Sequence, residues 1–251
     1  MIEIRNLSKS YGSVKVLEDI NLKIKPGSFN MIVGGNGAGK STLVNIVGSL
    51  LDRDSGEVIL DGKEVSEYSR DERAQKISIL KQNNNIDLNI TVRDLVGFGR
   101  FPYSKGRLNK TDLDIINQSL VSTQTLEYAD REISKLSGGQ RQRAFLAMIL
   151  AQKTDVILLD EPLASLDLKH SVDFVNMLKQ ICLEENKTVV MIVHDLNVAA
   201  MAADQIIALK NGKLQACGCV DDVISKDCLY DIFGVEFEVE SFGDRNVCFI
   251  K

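Results

Sequence analysis

The stretch Met31 to Thr42, Met-Ile-Val-Gly-Gly-Asn-Gly-Ala-Gly-Lys-Ser-Thr, limits what this chain can be more than any other. From Gly34 it fits G-x-x-x-x-G-K-[ST], a loop whose backbone amides cradle phosphate. Four glycines within six residues allow positive φ and let successive N–H groups converge on one anion. The apolar residues ahead of it, Met31 to Val33, read as a buried strand. Leu43-Val-Asn-Ile-Val-Gly behind it reads as a helix whose positive dipole end faces the phosphates. The nucleotide-holding set is therefore Gly34, Gly35, Asn36, Gly37, Ala38, Gly39, Lys40, Ser41 and Thr42. Lys40 neutralises β- and γ-phosphate charge, and the Ser41 hydroxyl completes a Mg²⁺ shell. A merely flexible glycine-rich turn would not account for Lys40-Ser41 standing between a strand and a helix.

With 251 residues the chain can bury one substantial core with a smaller subdomain attached. A formal net charge of −5 with interleaved signs gives no support for nucleic-acid binding. The longest apolar run, near Ala144 to Ala151, falls far below the ~18 residues of a membrane span, and the N-terminus has no basic-then-apolar signal pattern. A cytosolic chain is expected, with any membrane contact made through a partner. Five cysteines fall in the C-terminal third and do not form a disulfide framework. Cys217-Gly-Cys219 offers half a metal site, but no further cluster completes it, so reduced thiols are expected.

Residues 2 to 33 read as short strands, with Lys25-Pro-Gly-Ser as a turn. Tyr11, in a turn before the phosphate loop, either stacks on a base or is a half-buried turn residue. Strands are also expected over Gly56 to Gly62 and Lys76 to Lys81, the second ending at Gln82. Gln82 either helps position Mg²⁺ or a water, or belongs to the solvated polar run that follows. Thr91 to Ala151 reads as a helical insertion, with Thr91 and Thr111 as helix caps. Between those helices, Gly97-Phe-Gly-Arg-Phe-Pro-Tyr103 reads as an aromatic loop, exposed for contact or tucked in. Asn109-Lys-Thr-Asp112 imitates the guanine-reading N-K-x-D pattern but lacks the preceding buried strand, and a helix cap explains it better.

Leu136-Ser-Gly-Gly-Gln140 runs into an amphipathic helix bearing Arg141 and Arg143. Ser137, Gly138, Gly139 and Gln140 make either a second anion site or a simple N-cap. Asp155-Val-Ile-Leu-Leu-Asp-Glu-Pro162 is an apolar strand ending in two carboxylates, stopped by Pro162. Asp160 suits a second Mg²⁺ contact, and Glu161, directed the other way by strand alternation, suits a proton acceptor for water. A turn ending at Asp167 precedes a helix to about Glu184, where His170 reads as surface. Thr188 to Val193 is a further buried strand ending at His194, whose role is structural or catalytic. A last hairpin is expected over Val235 to Glu240 and Asn246 to Lys251.

Taken together and in this order, the phosphate loop, Gln82, Leu136 to Gln140, Val156 to Glu161, Asp167 and His194 resemble the ATP-binding subunits of ABC transporters across nearly the whole chain. LSGGQ is that family's most specific signature. The resemblance implies an α/β fold: a P-loop NTPase core with a mostly parallel central sheet, an N-terminal antiparallel β subdomain and an inserted α-helical subdomain. It implies one ABC ATPase domain over 1–251, with 1–87 and 152–251 as nucleotide-binding core and 88–151 as the helical part carrying the signature. It assigns Tyr11 to base stacking, Gln82 to the glutamine loop and His194 to γ-phosphate sensing. It also makes ATP and Mg²⁺ the cofactors, with Ser41, Gln82 and Asp160 at the metal, Asp167 and Ser137 to Gln140 at the nucleotide, and Glu161, His194, Gln82 and Lys40 in catalysis. Gly35, where the family often has Pro, and Ala164-Ser165, where Ser-Ala is common, depart from the pattern.

A narrower likeness rests on Thr91-Val-Arg-Asp-Leu-Val-Gly-Phe-Gly-Arg-Phe-Pro-Tyr103, His194-Asp-Leu-Asn-Val-Ala-Ala200 and Ser78-Ile-Leu-Lys-Gln-Asn. It is similar to importers of iron-siderophore complexes, haem and vitamin B12, in the siderophore branch of Gram-positive bacteria. That family implies a homodimer of ATPase subunits at the cytoplasmic face of the plasma membrane, under an integral-membrane permease fed by an extracellular substrate-binding lipoprotein. Each ATP would lie between the phosphate loop of one subunit and the signature of the other. A soluble ABC-type ATPase of cluster assembly or repair shares every catalytic residue, and a small-molecule kinase shares the phosphate loop but leaves LSGGQ idle.

Overall fold

The computed structural model describes residues 1–82, 89–164, 166–243 and 245–251. The polar run after Gln82 and Ser165 of the aspartate turn lie outside them. β1 (Ile2–Tyr11) and β2 (Val14–Ile24) pair antiparallel, with Tyr11 opposite Val14 at the turn, and β2 buries alternate residues at Ile20, Leu22 and Ile24. β3 (Phe29–Val33) runs into the glycine loop and α1 (Lys40–Val47). β4 (Ser55–Leu60) returns to β1, and β5 (Lys63–Glu64) completes a four-stranded antiparallel sheet ordered β2-β1-β4-β5. α2 (Arg70–Lys76), held by a reciprocal Ser69–Glu72 capping box, leads to β6 (Ile77–Leu80).

The helical stretch follows as α3 (Val92–Phe98), α4 (Phe101–Ser104), α5 (Lys110–Ser122) and α6 (Gly138–Ala151). Thr91 caps α3 as expected, but the cap of α5 is Asn109 and not Thr111. Asn109 Oδ1 accepts from the Asp112 amide and Asp112 returns the contact, so the N-K-x-D imitation is a capping box. Asp112 is also the buried partner of Arg100 at 2.9 Å, and Arg100 donates to the carbonyl of Ala151 at 2.8 Å. That pair ties α4 and α5 to the end of α6. Consequently, part of the aromatic segment read as a loop is the short helix α4.

β7 (Val156–Leu159), α7 (Leu168–Glu184), β8 (Thr188–Ile192), α8 (Leu196–Ala202), β9 (Gln205–Lys210) and β10 (Lys213–Gly218) come next. α9 (Val220–Val223), α10 (Lys226–Phe233) and a hairpin of β11 (Phe237–Phe242) and β12 (Arg245–Ile250) end the chain. The hairpin strands reach closer to their turn than the sequence reading placed them. The six-stranded central sheet is ordered β10-β9-β3-β8-β7-β6, parallel except for the β9–β10 pair.

This sheet is covered on both sides, which is why β7 is apolar at all four positions and β3 and β8 at four of five, instead of at every second one. Phe29, Met31, Val33, Ile157, Leu159, Val189 and Met191 point into a core shared with α3, α5, α6 and α7. Ile32, Val156, Leu158, Val190 and Ile192 point to the other side, onto α1 and the antiparallel sheet. Two cores clamp one sheet, and the loops leaving its strands start from fixed points.

Candidate active site

Since β3, β6, β7 and β8 run parallel, their carboxyl ends share one edge of the sheet, where α/β proteins place ligands. Gly34, Gln82, Asp160 and His194 each stand one or two residues beyond those ends.

The glycine loop is shaped by contacts that a side chain would destroy. A Cβ on Gly34, at φ +144°, would sit 2.2 Å from the Leu209 carbonyl oxygen. One on Gly39, at φ +98°, would sit 2.7 Å from the Val16 carbonyl oxygen. Both need glycine. Gly35 has no positive φ and open space beside it, so its departure from the family pattern costs the loop nothing sterically. Lys40, the first residue of α1, is 5% exposed, and its Nζ donates to the carbonyls of Gly34 and Gly35 at 2.9 Å each. Burial lowers its pKa, and the charges of Glu161 and Asp160 oppose that. A buried cation whose hydrogen-bond partners among the described residues are neutral carbonyls is well suited to bind phosphate oxygens.

Ser41 Oγ donates to Asp160 Oδ1 at 2.8 Å. Asp160 is buried, and burial pushes its carboxyl above the usual range, with the charge of Glu161 adding to the effect. The bond from Ser41 and the charges of Lys40 and His194 pull the other way. Glu161 takes the left-handed conformation, φ 50°. That is an unfavourable backbone for glutamate, of the kind found at functional positions. It also corrects the alternation argument: β7 has ended at Leu159, and a turned backbone, not strand pleating, aims Glu161. Its Oε2 accepts from Gln82 Nε2 at 2.6 Å, and its Oε1 lies 2.8 Å from His194 Nε2. The three catalytic candidates beyond Lys40 are thus one hydrogen-bonded set. A cleft of about 330 Å³ opens beside Glu161 and His194.

The oxygens of Ser41 and Asp160 are hard donors suited to Mg²⁺, which keeps much of its shell as water and phosphate. Gln82, also expected at the metal, is joined to Glu161 by its amide nitrogen.

Ser137 to Gln140 stand elsewhere. Ser137 caps α6 in a capping box with Gln140, and among the described residues no hydrogen bond links them to the glycine loop. Tyr11 is 51% exposed at the β1–β2 turn, in the hairpin whose Val16 and Leu17 lie against Gly39. Asp167 caps α7, its Oδ1 accepting from the His170 amide and lying 2.8 Å from His170 Nδ1. His170, read from sequence as surface, keeps its side chain 44% exposed, and one side of its ring lies against Gly139, where a Cβ would meet Cδ2 at 3.1 Å. The imidazole therefore packs on the Ser-Gly-Gly turn, a contact between residues far apart in sequence that no local pattern signals. Cys217 and Cys219 are exposed free thiols.

Residues 17–164 match the family described as ABC transporter. The petrobactin import ATP-binding protein YclP of Bacillus subtilis (strain 168) is 44% identical over 247 residues, 98% of each chain. The ferric enterobactin transport ATP-binding protein FepC of Escherichia coli (strain K12) is 37% identical, over 91% of this chain and 85% of that one. Among solved structures, the dimeric structure of MJ0796, a bacterial ABC transporter cassette, superposes with a TM-score of 0.78 at 33% identity, covering 88% of this chain and 99% of that one.

Proposed function

The chain belongs to the ABC transporter family as an ATP-hydrolysing subunit, and we propose that it powers import of a ferric siderophore or related iron chelate through a membrane permease. The observation that carries the chemistry is Glu161, held between Gln82 and His194 beside Lys40 and Asp160. Support for the cargo class comes from the petrobactin and enterobactin proteins to which the chain is similar.

ATP enters with its phosphates on the amides of Gly34 to Thr42. Lys40 exchanges its two carbonyl partners for β- and γ-phosphate oxygens. Bound Mg²⁺, held by Ser41 and Asp160 with Gln82 nearby, would supply charge neutralisation at the phosphates. Glu161 accepts the proton of the attacking water, and Gln82 and His194 fix its two oxygens so that the carboxylate presents one orientation. The His194 side chain is half exposed, which leaves the ring accessible to the γ-phosphate.

The signature supports a shared site, because Ser137 to Gln140 serve no contact with this chain's own phosphate loop among the described residues. A second copy supplies them, Asp167 lies at the same junction, and Tyr11 stacks on the base. ATP binding then drives closure of a homodimer, and hydrolysis resets it. We assign 88–151 as the helical part that carries the signature and meets the permease, with 1–87 and 152–251 as the nucleotide-binding core. Phe98 and Phe101 are exposed along an apolar groove of about 480 Å³ lined also by Gly97, Leu108 and Leu113. No helix among the described residues is long and apolar enough to cross a membrane. The subunit works at the cytoplasmic face, with a lipoprotein receptor delivering cargo outside.

Hydrolysis of ATP by the purified chain without any added acceptor tests the chemistry, and turnover that requires an acceptor would point to a kinase instead. Co-purification from detergent with a multi-span permease, together with uptake of radiolabelled ferric siderophore that is lost on Glu161→Gln, tests the transport role. Recovery of the chain free of membrane protein, with uptake intact in that variant, would favour the soluble ATPase.

A further inference from the structure

His194 is anchored from two sides, and only one of them is the sheet. Behind it, the Val193 amide donates to the Ile32 carbonyl at 3.1 Å, continuing the β3–β8 ladder. Ahead of it, the chain turns at once into α8, where Asp195 Oδ1 caps the helix by accepting from the amides of Asn197 (2.8 Å) and Val198 (3.2 Å). The orientation of the His194 side chain depends on where the first turn of α8 sits.

That turn is gripped by the end of the polypeptide. Asn197 Nδ2 donates to the Cys248 carbonyl at 3.1 Å, and the Cys248 amide donates to Asn197 Oδ1 at 2.9 Å. The carboxamide thus pairs with one peptide unit of β12 as a neighbouring strand would, on the edge facing away from β11. Both backbone polar groups of Cys248 are satisfied by this one side chain, the Cys248 thiol donates to the same Oδ1 at 3.4 Å, and Cys248 itself is buried at 6% exposure. Val239, opposite Cys248 on β11, packs against the core that α8 also lines. The C-terminal hairpin is fixed to the core and to α8 together. An asparagine carboxamide is the smallest side chain offering donor and acceptor in that fork.

We infer that Asn197 is a positioning residue for hydrolysis: through its two-point bond to Cys248, the C-terminal hairpin holds the first turn of α8 and keeps His194 Nε2 on Glu161. The inference rests on the role proposed above for His194. It assigns the hairpin to the hydrolytic step, although it lies outside every phosphate-contacting loop. Asn197 bonds to Cys248 and Asp195 and, among the described residues, to none of Gly34 to Thr42, so its loss is expected in turnover and not in ATP binding.

The test uses the full chain with Asn197→Ala, which removes both bonds, and Asn197→Asp, which keeps an acceptor for the Cys248 amide but sets an oxygen against its carbonyl. Steady-state ATPase measurement should show kcat lower by about 5- to 30-fold with KM for ATP unchanged. The chain has two histidines, so ring resonances in histidine-labelled protein report on His194 directly, with His170, held separately by Asp167, as internal control. Both variants should move the His194 signals and leave those of His170 in place. An unchanged kcat, a loss expressed in KM, or His194 signals that stay put would each overturn the clamp. Absence of turnover in the unsubstituted protein would instead overturn the hydrolytic reading on which it rests.

Discussion

Asp160→Asn should pull stability and activity in opposite directions. Asp160 is 6% exposed, and burial, aided by the charge of Glu161, raises its pKa. A folded-state pKa above the unfolded one means that the nucleotide-free fold holds the acid better than the anion. The deficit is fully present above the folded pKa and disappears as pH falls through that value to the unfolded one. Asparagine keeps an oxygen for the Ser41 hydroxyl, now 2.8 Å away, and removes the buried charge. Relief of one imperfectly compensated group is worth on the order of 1 kcal/mol, or about 2–4 °C in Tm for a chain of this size. Thermal unfolding without nucleotide and in chelator should therefore find the variant more stable at about pH 7–8, with the gap closing on acidification. With Mg²⁺ present, hydrolysis should fall by about 10- to 100-fold. A variant less stable than the parent at neutral pH, or a gap that widens as pH falls, would refute this reading of Asp160.

Lys40→Ala should weaken ATP binding by about 1.5–3 kcal/mol, the range for a charged hydrogen-bonding partner, and an unchanged affinity in a direct titration would remove Lys40 from the phosphates. Tyr11→Ala should raise KM for ATP with little change in kcat, while Tyr11→Phe is nearly silent, because base stacking is equal in ground and transition states. If the phenylalanine variant fails as the alanine one does, stacking is the wrong role. Replacing Phe98 and Phe101 by Ser should abolish transport by the assembled complex while the isolated subunit still hydrolyses ATP. Normal uptake would reject the docking role of that surface.

Much of the site was legible because it sits where strands stop. A strand whose two faces are both buried is a mostly apolar run, so the residues that break it, Gly34, Asp160 and His194, stand out in the sequence. Gln82 and the pair Ser137–Gln140 were visible as residue types but ambiguous in role. In the structure the Gln82 amide lies on Glu161, and the Ser137–Gln140 cap makes no hydrogen bond to the glycine loop among the described residues. What failed was local bookkeeping: Asn109 outcompeted Thr111 as cap because Asp112, three residues on, closes a box with it, and Glu161 follows a left-handed backbone that strand alternation does not foresee. His170 on Gly139 and Asn197 on Cys248 are contacts between distant segments, set by packing. Neither has a period or a spacing for a sequence reader to find.

In the proposed mechanism, hydrolysis takes place in a site completed by a second copy, with Glu161 as proton acceptor. Glu161→Gln preserves side-chain size and one oxygen within the Gln82–His194 set but cannot take a proton, so turnover should fall by about 10²- to 10⁴-fold while ATP binding survives. Light scattering with and without ATP should then find this variant as an ATP-dependent dimer. Adding Ser137→Arg should return it to monomer without loss of ATP binding, through steric and charge conflict at the signature. A Glu161→Gln protein that remains monomeric with ATP at high concentration, or a double variant that still dimerises, would contradict the shared site.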